Sequence, residues 1–180
     1  MLFYFDEDMK YIGEGESTNF VSPIFGYTAL RPSDKMLLAG CKFKYGSWDF
    51  IDTEPTEEEF NVLWKEHKEV KLKEIKEAFK RASVKPKVEV RLSDDLTVIV
   101  DGGRTNKDDF KEEWESMADD ETTTVKDANN EFHTDITKDQ MQKIYKAIVT
   151  NGKVLFQNKW TLEALVSAAE TVEEVEAIKW

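Results

Sequence analysis

Residues 54 to about 82 read as one long helix, and no other stretch limits the fold as strongly. Pro55 suits a first turn, where a missing amide loses no partner, and Thr53 or Thr56 can cap it. Glu57, Glu58 and Glu59 stand where the helix dipole favours anions, and Lys80 and Arg81 stand at the opposite end. Phe60, Leu63, Trp64, His67, Val70, Ile75, Ala78 and Phe79 recur at threes and fours. One thin face is therefore apolar, and the rest is dense in Lys and Glu. A helix bathed in solvent has no use for Phe60, Leu63 and Trp64 together. Either copies of the 54–83 helix associate as a short coiled coil, or the face packs on another part of the same chain.

This helix divides the chain into three segments: a small β-module over 1–53, the spacer helix over 54–83, and an α+β domain over 84–180. In the first, MLFYFD reads as a strand, DEDMK as a turn and YIGEG as a second strand. Pro23 and Pro32 mark irregular connections, since proline fixes φ and lacks a donor. LLAGCKFKYG and SWDFID then read as a hairpin around Gly46-Ser47. In the last segment Val88-Glu-Val-Arg-Leu92 and Thr97-Val-Ile-Val100 alternate about a Ser93-Asp94-Asp95 turn. Thr105 or Asn106 can cap a helix with Phe110, Trp114 and Met117 inward. Thr122–Lys126 and Phe132–Thr134 flank Asp127-Ala-Asn-Asn130 as a second hairpin. Thr137-Lys-Asp-Gln140 is a capping box opening a helix with Met141, Ile144, Tyr145, Ile148 and Val149 on one side. Asn151-Gly152 is expected to weaken or interrupt that helix, and Trp160, Leu162, Leu165, Val166 and Ala169 to resume its apolar face. Thr171-Val-Glu-Glu174 is a further capping box, with Val172, Val175 and Ile178 behind it. The fold class expected is α+β: an N-terminal antiparallel β-module, a long helix, and a C-terminal hairpin-helix-hairpin-helices domain.

The net charge of −12 repels nucleic-acid phosphates and anionic lipid, so neither nucleic acid nor membrane is an expected partner. No apolar run approaches the roughly 20 residues of a membrane span. The start MLFYFDEDMK lacks a basic region and does not resemble a signal peptide. Cys41 is the single cysteine, which excludes an intramolecular disulfide and a cysteine-rich metal site; it is expected as a small buried apolar residue. The chain reads as made in a reducing cytoplasm.

Motifs that carry chemistry fail on spacing. The two histidines, His67 and His133, are far apart in sequence and have no Cys/His cluster beside them, so both read as packed or solvated. An EF-hand loop counted from Asp127 would need Gly at its sixth position and Glu at its twelfth, where Phe132 and Lys138 stand. Asp101-Gly-Gly-Arg104 lacks the lysine and spacing of a phosphate loop and reads as a strand-to-helix turn. Among 37 acidic residues, pairs such as Asp94-Asp95 and Asp119-Asp120 single out no acid/base couple. No catalytic residue, metal ligand or cofactor is expected, and an interaction role leads.

Two stretches carry a resemblance. FYFDEDMKYIGEG, TALRPSD and FKYGSWDFID, followed by KLKEIKEAFKRA, resemble the N-terminal part of tail-fibre assembly proteins of tailed phages. VEVRLSDDLTVIVDGGRTNKDDFKEEWESM, TTTVKDANNEFHTDITKDQMQKIYKAI and WTLEALVSAAETVEEVEAIKW resemble a domain of unknown function found at the end of such phage proteins. The resemblance implies a non-enzymatic protein that binds a tail fibre or an adjacent tail component, as assembly chaperone or virion part. It places the protein in the host cytoplasm during assembly or in the virion tail. Tyr45, Trp48, Phe50, Phe60, Leu63 and Trp64 are the candidate partner-binding residues, because aromatic side chains anchor interfaces. Trp48 and Phe50 share one side of their strand, as core, as contact, or as both. Two other classes stand beside this one. A nucleic-acid-mimicking inhibitor needs carboxylates along one face, but lysines are interleaved with the acids, especially over 65–81. A tail-associated glycan hydrolase needs two carboxylates about 5 to 10 Å apart in a groove.

Overall fold

The computed structural model describes residues 2–6, 8–15, 26–28, 31–44 and 47–180. The fold is α+β, with short antiparallel strand pairs and several helices, two of them long. Its compact units are not simple sequence segments. One consists of residues 1–72 and 165–178; the other consists of residues 73–164 and 179–180.

In the first unit, β1 (Leu2–Phe5) lies between β2 (Tyr11–Gly15) and β3 (Gly26–Thr28), antiparallel to both. Phe3, Tyr4 and Phe5 are all buried instead of alternating, so side chains on both faces of this central strand are covered. Helix α1 (Asp34–Ala39) follows, with Ser33 Oγ accepting the amide of Met36 at its start. The hairpin expected to begin at Leu37 therefore begins later. Leu37-Leu-Ala belongs to α1, and only β4 (Cys41–Lys44) and β5 (Ser47–Phe50) pair. The serine cap, a local signal, prevails there over the apolar run. Phe3, Phe5, Cys41 and Trp48 form the core of this module, with Met9, Tyr11, Met36 and Phe43 packed against it.

Helix α2 (Glu57–Val84) is opened by a reciprocal cap. Thr56 Oγ1 accepts the Glu59 amide at 3.3 Å, and Glu59 Oε2 accepts the Thr56 amide at 2.8 Å. Its only fully buried residue is Ile75. Val70, expected on the apolar face, is 58% exposed, because the residues that turn inward sit on the other side of the helix.

The second unit holds two hairpins, β6 (Lys87–Arg91) with β7 (Thr97–Asp101) and β8 (Thr122–Lys126) with β9 (Phe132–Thr137). Between them lies α3 (Arg104–Ser116). The alternating Val88, Val90, Val98 and Val100 face one core with Val125, Ile136, Met141, Ile144 and Ile148. Phe110 and Trp114 of α3 pack against that core, as their spacing predicts. Neither Thr105 nor Asn106 caps α3. The residue ahead of it is Gly103, whose carbonyl accepts the amide of Lys107 at 2.9 Å. A side-chain cap there is sterically excluded, since a Cβ on Gly103 would lie 2.5 Å from Val84 O.

Helix α4 (Lys138–Ala168) starts from the Thr137/Gln140 box, with Thr137 Oγ1 accepting the Gln140 amide and Gln140 Oε1 accepting the Thr137 amide. It runs without a break through Asn151-Gly152, contrary to the expected interruption. One interior glycine costs a helix about 1 kcal/mol, and packed apolar residues on either side, Ile148 and Leu162 among them, outweigh that. Helix α5 (Val172–Ala177) begins at the second predicted box, formed by Thr171 and Glu174.

Candidate functional site

The candidate residues drawn from the sequence differ in how far they are buried. Tyr45 lies outside the described residues. Trp48 is 7% exposed, so it is core, not a free contact. Its indole stands edge-on to three rings: Phe43 at 5.2 Å, Tyr11 at 5.8 Å and Phe5 at 6.4 Å between centroids. The register explains this. Trp48 sits opposite Phe43, on the side of the hairpin that turns toward β1 and β2. Phe50, opposite Cys41, is half-buried. Burial pushes the Cys41 thiol up to about 11 and the Tyr11 hydroxyl up to about 12, the latter with a further push from Glu14.

Phe60, Leu63 and Trp64 are half-buried along α2. Lys35 Nζ lies over the Phe60 ring at 5.6 Å, and Lys68 Nζ over the Trp64 ring at 4.8 Å. Trp64 stacks on His67 at 6.0 Å. His67 Nε2 lies 3.3 Å from Glu176 Oε1 without hydrogen-bond geometry, and Lys71 Nζ reaches Glu176 Oε2 at 3.4 Å. Lys68 Nζ donates to the Ser167 carbonyl at 3.1 Å. This end of α2 packs within its own unit, one of the two arrangements open to it.

Among the described residues, an exposed aromatic surface lies in the second unit; it was not singled out from the sequence. Phe156 is 47% exposed and Trp160 59% exposed, one turn apart on α4 with ring centroids 5.7 Å apart. Phe79 of α2 meets Phe156 at 4.8 Å and Trp180 at 6.0 Å, and Trp180 is itself exposed. The four rings make a continuous ladder. Lys159 Nζ lies over the Phe79 ring at 5.6 Å and pairs with Glu163 Oε1 at 3.3 Å. The sequence carried a usable signal. Leu162, Val166 and Ala169 are spaced by four and three and are buried. Trp160 falls off that rhythm and is exposed, whereas Leu165 keeps it, three residues after Leu162 and four before Ala169, and is exposed all the same.

Ligand-capable polar groups meet at the β8–β9 turn. Asp127, Glu131 and His133 bring their ligand atoms within 4.8 Å of one another. Asp127 is buried, and its bonds explain why. Oδ1 accepts the amides of Asn129 and Glu131, and Oδ2 faces His133 Nε2. Burial pushes its carboxyl up, but the two amides and the imidazole outweigh this and hold it below the ordinary carboxylate value. These contacts engage both carboxylate oxygens from inside the hairpin. They make Asp127 a turn lock, in keeping with the polar turn read from the sequence.

A model of a family described as a domain of unknown function (DUF4376) matches residues 66–179, from within α2 almost to the end of the chain. No curated protein and no solved structure matches.

Proposed function

Since this chain belongs to the DUF4376 family, a domain of unknown function, its role has to come from its own surfaces, and we propose that it is a non-enzymatic binding protein of a phage tail. On this reading it holds a tail fibre or an adjacent tail component, as assembly chaperone or virion part. The observation that carries the binding role is the ladder of Phe79, Phe156, Trp160 and Trp180. Exposed Trp and Phe side chains in contact are the kind of group that anchors an interface, and a patch of them gains free energy when a partner takes it out of water. The nature of the partner rests on the resemblance of FYFDEDMKYIGEG and FKYGSWDFID to tail-fibre assembly proteins. A fibre end exposes apolar surface and strand edges that need covering until assembly is complete.

The test is isolation of native complexes from cells in which the tagged chain is expressed during phage growth. Mass spectrometry should find a fibre or tail polypeptide at a fixed ratio to the chain. Trp160→Ala and Trp180→Ala together should release it. Analysis of purified particles separates the two forms of the role, since a chaperone is absent from virions and a component is present. Recovery of a host DNA-binding protein instead, or degradation of host-surface glycan by the purified chain, would remove the proposal.

A further inference from the structure

The second unit contains a cavity of about 460 Å³ bordered by the last turns of α2, the start of α3 and the middle of α4. Its apolar wall includes Phe79, Ile148, Leu155 and Phe156. Its charged lining is of one sign: Arg104, Lys107 and Lys153, with no aspartate or glutamate, in a chain whose net charge is −12. Lys107 Nζ is engaged by Asp108 Oδ1 at 3.0 Å. Arg104 and Lys153 have no ion-pair partner among the described residues. Gly152 also lines the cavity. A Cβ added there would meet nothing within 4 Å, so no neighbouring atom requires a glycine at that point in the helix. Its missing side chain keeps the cavity open at a cost in helix stability.

We propose that this cavity binds a small amphipathic anion, a molecule with one carboxylate or phosphate head on a short apolar body. The apolar body gains by leaving water against Phe79, Ile148 and Leu155. The head meets Arg104 and Lys153, whose donors are open to it, with Arg104 suited to paired hydrogen bonds to an oxyanion. A neutral apolar ligand would use the wall and leave the cations without a counter-charge. A cationic ligand would be repelled by them. An apolar enclosure of this size with few converging polar groups is the usual form of a small-molecule site.

The experiment is a titration of the ¹⁵N-labelled full chain with octanoate and with octyl phosphate, followed by NMR. Octanol and octylammonium serve as controls at the same ionic strength. The expected result is saturable, one-site shifts at the amides of Gly103 and Gly152 with at least one anion. Octanol should bind at least tenfold more weakly, and octylammonium should cause no shift there. Whichever anion binds tighter identifies the head group. Gly152→Leu, which fills the space, should abolish the shifts. Arg104→Gln combined with Lys153→Gln should weaken binding roughly three- to tenfold, as expected for two exposed charge contacts. An unchanged melting temperature in that double variant shows that the fold is intact. Equal response to octanol, shifts confined to other regions, or unchanged affinity in the double variant would overturn the proposal.

Discussion

Asp127 Oδ2 lies 3.3 Å from His133 Nε2 across the β8–β9 turn, while Oδ1 of the same carboxylate accepts the amides of Asn129 and Glu131 at 2.8 and 2.9 Å. One side chain therefore fixes both the turn, which includes Asn130 at a φ of 68°, and the strand that follows it. Asparagine tolerates that left-handed conformation better than most residues, so the Asn-Asn pair and the aspartate before it act as one device.

The sign of the pH dependence at Asp127 follows from these bonds. Its folded pKa lies below its unfolded value, so it contributes stability above the unfolded value, and the contribution is lost as pH falls through the folded one. Asp127→Asn should therefore lower the urea midpoint at neutral pH. Its gap from the unsubstituted chain should close as pH is taken from about 6 to about 2. A gap of constant size across that range would show that the carboxylate charge is not what locks the turn.

Trp48 and Trp160 are opposite cases of one residue type. Trp48→Ala leaves a cavity among Phe5, Tyr11 and Phe43, and should cost about 3–5 kcal/mol in chemical denaturation. Trp160→Ala removes a largely exposed ring, and should change stability by no more than about 0.5 kcal/mol. Equal losses would mean that the α4 ladder is core.

Two glycines should respond in opposite directions to alanine. Gly152→Ala adds a methyl to open space inside a helix and should stabilise by about 0.5–1 kcal/mol. Gly103→Ala pushes a methyl toward Val84 O and should destabilise by about 1–3 kcal/mol. Thermal melts of the two variants, compared with the unsubstituted chain, check both directions.

Tyr11 and Cys41 set an alkaline limit. Their folded pKa values, about 12 and about 11, lie above the ordinary 10.0 and 9.0 because burial disfavours the anions. Their stabilising effect is thus complete below the ordinary values and is lost as pH rises through the raised ones. Stability should decline above about pH 9. At pH 8 a disulfide reagent should modify Cys41 far more slowly in the native chain than in urea. Equal rates would place the thiol at the surface.

What the sequence determined by itself was local. The boxes at Thr137/Gln140 and Thr171/Glu174, the valine alternation of β6 and β7, and the Asp127 turn all depend on residues within a few positions of one another, and each formed as read. Tertiary structure decided which apolar residues meet a partner. Trp48 went into the core, Trp160 and Leu165 stayed in water, and α4 kept its course through Gly152. It also brought Lys153 of α4 beside Arg104 and Lys107 of α3 around one cavity. The reason is physical. Hydrogen-bonded caps and turns are closed by neighbours in the chain, whereas burial and the pooling of charge depend on surfaces that only distant segments supply.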